Sequence, residues 1–345
     1  MTNRKKVLII TDAWRPQKNG VVVSIEKMET LLTAKGFTVF VAHPHLFPLR
    51  MRLFFYPEIE IALFVKQKMR KLFERENPDF VHITTEGPLG LAARMYCVRH
   101  KIRFTTAYHT HYPLYAELRV PGIFNLAYRY VTWFHRGASR TMVATHAIKK
   151  DLENRDFNNL VIWPLGVETN IFKKNPIAAV PEFLRDMPRP FFIYFGRVAI
   201  EKNVEAFLKC DLPGTKIVVG GGPQLPSLKK RYKKGVVFVR GNGYAKDKEL
   251  IDLLSIADVF VFPSKTETLG IVALEALACE LPVAAYDAMG PREIIVNGVH
   301  GFIDQDLARA ARQCLTIPRT ELRQRAMKFT WDNSVEAFLE NLEEN

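Results

Sequence analysis

The feature that most constrains this chain is a sustained alternation of short apolar runs with amphipathic stretches. The apolar runs are strand-length and the segments between them carry helical spacing, the pattern of βαβ units around mostly parallel sheets. In the first half, Val7–Thr11, Thr38–Ala42, Phe80–Thr84, Phe104–Tyr108, Thr141–Thr145 and Leu160–Trp163 read as strands. A helix is expected over Val22–Lys35, closed by Gly36. The second half repeats the scheme with Phe191–Phe195, Lys216–Val219, Val236–Val239, Val259–Phe262 and Val283–Ala285.

A length of 345 residues holds two such domains at about 100–200 residues each. Lys174–Pro190 has four prolines (176, 181, 188 and 190) and no period, so it reads as the linker between them. Two parallel-sheet domains would present their strand C-termini across a cleft, and open sheets of this kind bind ligands at those ends. The strand-to-helix loops are therefore where chemistry is expected. No GxGxxG or GxxxxGK[ST] occurs, so neither a dinucleotide fingerprint nor a Walker loop is indicated.

Composition narrows the class further. A charged fraction of 25% and aromatics at 11% exclude general disorder. Cys97, Cys210, Cys279 and Cys314 form no CxxC pair, so they read as reduced thiols rather than disulfides or zinc ligands. The apolar run Val7–Ile10 behind Arg4-Lys5-Lys6 is too short for a signal peptide, and no stretch reaches the ~18 apolar residues of a spanning helix. The formal charge of +13 is unevenly placed. Residues 1–173 carry 26 Lys and Arg against 14 Asp and Glu, a net of +12, whereas residues 174–345 carry 23 against 22. The halves therefore face different partners.

Two loops stand out in the second half. After Phe191–Phe195 comes Gly196-Arg197-Val198-Ala199-Ile200-Glu201-Lys202-Asn203, opening a helix near Asn203. Glycine lets the backbone turn closely, Arg197 can clamp phosphate oxygens in a fork, and Lys202 adds a point charge. An ordinary polar loop with surface ion pairs is the plainer alternative. After Val259–Phe262 comes Pro263-Ser264-Lys265-Thr266-Glu267-Thr268-Leu269-Gly270, with a helix running through Glu275. If one helix held both Glu267 and Glu275 they would lie roughly 12 Å apart, wider than the ~5–9.5 Å of a glycosidase pair but suited to an extended ligand such as a nucleotide sugar. The alternative is that Glu275 only decorates the first turns of a helix.

In the first half, Asn19-Gly20 opens a helix after strand one, either as a phosphate approach or as a turn and cap. His109 and His111 follow a strand end without a third metal ligand in view, so His109 reads as a hydrogen-bonding or proton-handling group. Asp304-Gln305-Asp306 is read as a helix cap, and Lys229–Lys234 as a solvated helix end rather than a nucleic-acid stripe.

Together these loops resemble family 4 glycosyltransferases of the GT-B fold. The carrying residues are Gly20, Tyr108-His109-Thr110, Gly196–Asn203, and Glu267-x7-Glu275 within PSKTETLGIVALEALACELPV. The likeness is greatest to GDP-mannose-dependent α-mannosyltransferases and related bacterial glycolipid glycosyltransferases. It implies an N-terminal acceptor-binding domain (1–173), a C-terminal donor-binding domain (174–330), and a final helix within 331–345 that packs back on the first domain. It implies hexose transfer, of mannose or glucose type, with retention, from a nucleoside diphosphate sugar to a membrane lipid or glycolipid, with no metal or other cofactor. Arg197, Lys202 and Gly20 would meet the donor diphosphate. Glu267 and His109 would act at the sugar as catalytic residues, Thr268, Leu269 and Gly270 would present backbone groups, and Glu275 would hold the ribose.

This chain departs from the family where Gly221 replaces a common carboxylate and where Glu280 replaces a small residue. The basic first half is expected to face anionic phospholipid. Lys66, Lys68, Arg70, Lys71 and Arg75 with Leu63, Phe64, Met69, Leu72 and Phe73 form one candidate surface, and Gly122–Arg136 another. For both, a core helix with a solvated basic face is the alternative. A peripheral protein on the inner face of the cell membrane, with no nucleic-acid partner, is the resulting expectation. A nucleotide-sugar epimerase on the same fold, or a soluble saccharide acceptor, stays open on the sequence alone.

Overall fold

A computed structural model describes residues 4–17, 19–53, 56–239 and 248–345. The chain forms two compact units, Met1–Pro164 with Trp331–Asn345, and Leu165–Thr330.

The first unit runs β1 (Lys6–Ile10), α1 (Gly20–Ala34), β2 (Thr38–Ala42), β3 (Arg50–Leu53), β4 (Tyr56–Ala62), α2 (Val65–Glu76), β5 (Phe80–Ile83), α3 (Pro88–His100), β6 (Thr105–Tyr108), α4 (Tyr112–Glu117), α5 (Phe124–Arg136), β7 (Arg140–Val143), α6 (His146–Glu153) and β8 (Leu160–Ile162). Its parallel sheet has the order β2-β1-β5-β6-β7-β8. β5 and β6 are buried at every position and β1 at all but its first, as in a parallel sheet covered on both faces, although β6 is Thr-Thr-Ala-Tyr and β5 carries His82. The antiparallel hairpin β3–β4 is absent from the sequence reading, because its Arg50, Arg52 and Glu60 break the apolar pattern.

The second unit runs β9 (Phe191–Phe195), α7 (Val204–Lys209), β10 (Thr215–Val219), α8 (Leu225–Arg231), β11 (Val236–Val239), α9 (Lys248–Ile256), β12 (Val259–Phe262), α10 (Ile271–Ala278), β13 (Val283–Ala285), α11 (Met289–Ile294), β14 (Gly301–Ile303), α12 (Leu307–Cys314) and α13 (Leu322–Ala326). The order β11-β10-β9-β12-β13-β14 is that of a doubly wound Rossmann sheet. The order in which strands are added reverses between β9 and β12, which pair in parallel through Val259↔Phe192 and Phe260↔Ile193. That switch point opens a crevice beyond the strand ends, and the loops after β9 and β12 flank it.

The final helix, α14 (Trp331–Asn341), packs on the first unit. Its Ser334 accepts the Trp163 indole N–H, and Phe338 lies 4.8 Å from the His82 ring, centroid to centroid. Leu165–Lys173, placed in the first domain by the sequence reading, belong to the second unit. The reason is local. Val167 donates its N–H to Phe329, and the Arg323 guanidinium holds the carbonyls of Thr169 and Phe172.

Asp306 caps α12 by accepting from Ala308 and Arg309, while Asp304 pairs with Arg309. α2 buries Met69, Leu72 and Phe73 in the core, so these residues are not available to a lipid surface. Its Lys66, Lys68, Arg70, Lys71 and Arg75 remain exposed.

Candidate active site

In the second unit the site is built from two loops tied to each other at the switch point. The loop after β9 begins at Gly196, whose φ of +137° favours glycine, and turns into a short 3-10 segment, Ile200–Lys202. Asn203, at φ +53°, then hands the chain to α7. The expected helix start at Asn203 is thus interrupted by a left-handed residue, and this serves a purpose. The Asn203 amide donates to Pro263 O at 3.1 Å. Ser264 and Thr266 hydroxyls donate to Glu201 O at 3.0 and 3.2 Å. The two loops are therefore tied to each other, and Lys202 Nζ forms an ion pair with Glu267 between them. Both side chains of the pair are largely shielded from solvent, at 22% and 14% exposure. Arg197 lies on the same loop, and its carbonyl accepts the Tyr194 hydroxyl at 2.6 Å.

The Gly220–Pro223 loop packs beneath the Arg197 loop. A Cβ on Gly220 would sit 2.0 Å from Gly196 O, and one on Gly222 would sit 2.4 Å from Val198 O. Val198 N donates to Gly221 O at 2.8 Å. Gly221 alone has open space for a side chain, so the missing carboxylate there is not enforced by packing.

Glu267 and Glu275 do not share a helix. Gly270 takes φ +91° and α10 begins only after it, so the roughly 12 Å estimate from helical rise does not apply. Thr268, Leu269 and Gly270 are buried at this turn. Glu275 lies within α10, not on its first turn, and is 7% exposed. Burial pushes its carboxyl up to about 8, so the unliganded group is mostly protonated at neutral pH. Among the described residues its Oε2 has no hydrogen-bond partner. A buried acid with one idle oxygen is costly unless a ligand uses it.

Gly290 was not found by the sequence reading. A Cβ there would meet Leu269 O at 2.6 Å and Glu267 O at 2.9 Å, so only glycine lets α11 lie against the Glu267 loop. Ser264, Thr266 and Asn203 stand in the loops singled out above but were given no role there, since hydroxyl and amide side chains in such loops read as ordinary turn residues.

In the first unit, Gly20 is the first residue of α1, which Asn19 caps by accepting from Val22 N at 3.0 Å. His109 follows β6, and its burial lowers the imidazole to about 4. It is therefore neutral at pH 7, which favours a hydrogen-bonding role over a proton-handling one. Asp12, another residue absent from the sequence reading, ties the loop after β1 to the start of α3. It accepts from Thr85 Oγ1, Leu89 N and Gly90 N at 2.8, 2.8 and 3.2 Å. Burial outweighs those donors and raises its carboxyl to about 6. Among the described residues no group of three or more His, Cys, Asp or Glu side chains is placed to share a metal.

The sequence model of glycosyltransferase family 4 matches residues 18–171, and that of glycosyl transferases group 1 matches residues 179–329. The chain belongs to the family 4 glycosyltransferases. A sulfoquinovosyl transferase (SQD2) of Arabidopsis thaliana is 30% identical over 79% of this chain, which spans 55% of that protein's length. A GDP-mannose-dependent α-mannosyltransferase of Mycobacterium tuberculosis is 27% identical, over 86% of this chain and 83% of that protein. An α-monoglucosyldiacylglycerol synthase of Acholeplasma laidlawii is 29% identical, over 81% and 79%. The sucrose-phosphate synthase of Thermosynechococcus elongatus superposes with a TM-score of 0.77 at 18% identity, covering 98% of each chain. The two parallel-sheet domains of this glycosyltransferase are thus those of the GT-B fold. Hexosyltransferases form its family background, and the epimerase alternative is set aside.

Proposed function

We propose that this glycosyltransferase moves a hexosyl group, of mannose or glucose type, from a nucleoside diphosphate sugar to a membrane lipid or glycolipid, with retention and without a metal. The observation that carries the reading is the paired loop at the β9/β12 switch point, with Arg197, Lys202 and Glu267 on it and the buried Glu275 behind it. In this reading Arg197 and Lys202 hold the diphosphate and stabilise the charge that develops on it, which is electrostatic leaving-group catalysis. Glu267 fixes Lys202 and contacts sugar hydroxyls. The backbone of Thr268, Leu269 and Gly270 faces sugar and phosphate. The idle oxygen of Glu275 takes up the ribose hydroxyls.

In the first unit, Gly20 lets backbone N–H groups approach phosphate, and the neutral His109 hydrogen-bonds the sugar. The acceptor oxygen bonds to the anomeric carbon on the face from which the diphosphate departs. The acceptor proton passes to the leaving phosphate oxygen, so no enzyme nucleophile is required. Protein names among the relatives support the two substrate classes, since one synthesises a glucosyldiacylglycerol, which bears on the acceptor, and another uses GDP-mannose, which bears on the donor.

The membrane reading rests on the first unit's surface. Phe64 is 85% exposed at the start of α2, next to the exposed basic face of that helix. Leu49 and Met51 on the adjoining hairpin are also exposed, and Leu63 N donates to Leu49 O at 2.9 Å, which holds hairpin and helix start together. On α5, Leu126 and Trp133 are exposed. Among the described residues no helix is long and apolar enough to cross a membrane. We place the protein at the inner face of the cell membrane as a peripheral enzyme, the basic residues each adding about 1 kcal/mol against anionic lipid.

The test is incubation with labelled GDP-, UDP- and ADP-hexoses and extracted lipids. Label is expected in a lipid product. Nucleotide release without any labelled lipid or saccharide would overturn the transferase reading.

A further inference from the structure

His109 does not stand by itself at the end of β6. Its ring packs edge-on against the indole of Trp163, with centroids 5.2 Å apart and planes at 63°. Trp163 follows β8, and its indole is fixed from the far end of the chain. The indole N–H donates to both the carbonyl and the hydroxyl of Ser334 on α14, each at 3.1 Å. Phe338, one turn further along α14, packs against the same indole at 5.1 Å and against His82 at 4.8 Å. His82 is itself anchored, Nδ1 to the Thr105 hydroxyl at 2.8 Å, on the strand that leads to His109. Trp163, Ser334 and Phe338 are all buried.

We propose that Trp163 is a positioning residue for His109, and that α14 sets it. The indole can rotate only if its buried N–H gives up both Ser334 acceptors, which leaves polar groups unsatisfied in an apolar layer. The ring of His109 has the indole face as one wall, so its orientation is fixed by a contact that begins at Ser334. The end of the chain returns to the first unit after the whole second unit has been made, and it supplies this wall. Ion pairs at the rim, Lys5 with Glu344 and Arg140 with Glu343, hold the terminus down but are exposed and weak. The specific lever is the indole hydrogen bond.

The inference rests on the reading of His109 as a sugar-contacting residue. The experiment separates the two. In full-length protein with isotopically labelled histidine, the His109 ring resonances are assigned through His109→Gln and followed without substrate in Trp163→Phe, Ser334→Ala and the double variant. Trp163→Phe keeps a ring and removes the N–H, whereas Ser334→Ala removes one acceptor, so folding does not depend on a single choice. Circular dichroism selects the variants that retain the fold. The expected result is a shift of the His109 resonances in Ser334→Ala, where the indole and its ring current are retained, with kcat reduced about tenfold in both variants while donor KM is held, as for a displaced positioning contact. The double variant is expected to be no worse than Trp163→Phe, because removing the indole N–H already breaks the contact with the Ser334 hydroxyl that Ser334→Ala removes. Unmoved His109 resonances in folded variants would overturn the proposal. Shifted resonances with unchanged turnover would uphold the positioning and remove His109 from the reaction instead.

Discussion

Glu275 offers the sharpest quantitative consequence of the structure. Its carboxyl rises from an ordinary 4.5 to about 8 through burial. A group whose folded value lies above its unfolded value favours the folded state fully at low pH and loses that contribution as pH rises between the two values. By pH 7 the unfolded chain has ionised the group freely and the folded chain has not. At pH 7, which is about 2.5 pH units above the unfolded value of 4.5, the contribution is on the order of 3 kcal/mol. Glu275→Gln removes the ionisation, so the variant is expected to be more stable than the parent. The gap should grow from about 1 kcal/mol at pH 5 to about 3 kcal/mol at pH 7.

The probe must report the second unit, and the four tryptophans (14, 133, 163 and 331) all lie in the first. Cys279 serves instead. It is fully buried just beyond α10, and pulsed thiol labelling in urea reads its exposure, variant against parent at each pH. Donor affinity should move the other way. In the donor complex the ribose hydroxyls let the carboxyl ionise, which an amide cannot do; the charged hydrogen bond forgone is worth about 1.5–3 kcal/mol, a ten- to hundredfold weaker donor complex. A stability gap that does not change with pH would refute the claim that Glu275 is held protonated in the folded chain.

Further consequences follow from the same geometry. Arg197→Ala or Lys202→Ala should lower turnover by about 10²–10³ with the fold retained, by steady-state kinetics and circular dichroism. Lys202→Ala also strands Glu267 without its cation, so it should cost stability as well. Gly290→Ala should push the Glu267–Leu269 backbone out of place, costing about 1–3 kcal/mol in denaturant titrations and raising donor KM. Sedimentation with anionic vesicles should weaken with salt and fall further in Phe64→Ser, whereas equal binding to neutral vesicles at high salt would sink the electrostatic account.

The sheets were legible because their strands are buried on both faces, so Phe191–Phe195 and Val259–Phe262 had to be apolar throughout. The hairpin β3–β4 escaped because Arg50 and Arg52 face Glu60 across a partly solvated ladder. β14 escaped because it is three residues long and begins with Gly301, which passes under Val283 O. Arg197 and Lys202 could be read from one loop. The bonds from Ser264 and Thr266 to Glu201 could not, since they join positions more than sixty residues apart. The burial of Glu275 was equally hidden, because a carboxylate on a helix looks solvated until every neighbour is placed. Apolar spacing on α2 was ambiguous for the same reason, and packing assigns Met69, Leu72 and Phe73 to the core.

The central claim is metal-independent, retaining transfer from a nucleotide sugar, and the linkage formed reports on it most directly. The protein is incubated with its active α-linked sugar nucleotide and lipid acceptor in excess EDTA, and the anomeric configuration of the purified product is read by NMR. The account predicts an α-linked hexosyl lipid with release of one nucleoside diphosphate per product. A β-linked product, or turnover that appears only when a divalent metal is restored, would contradict it.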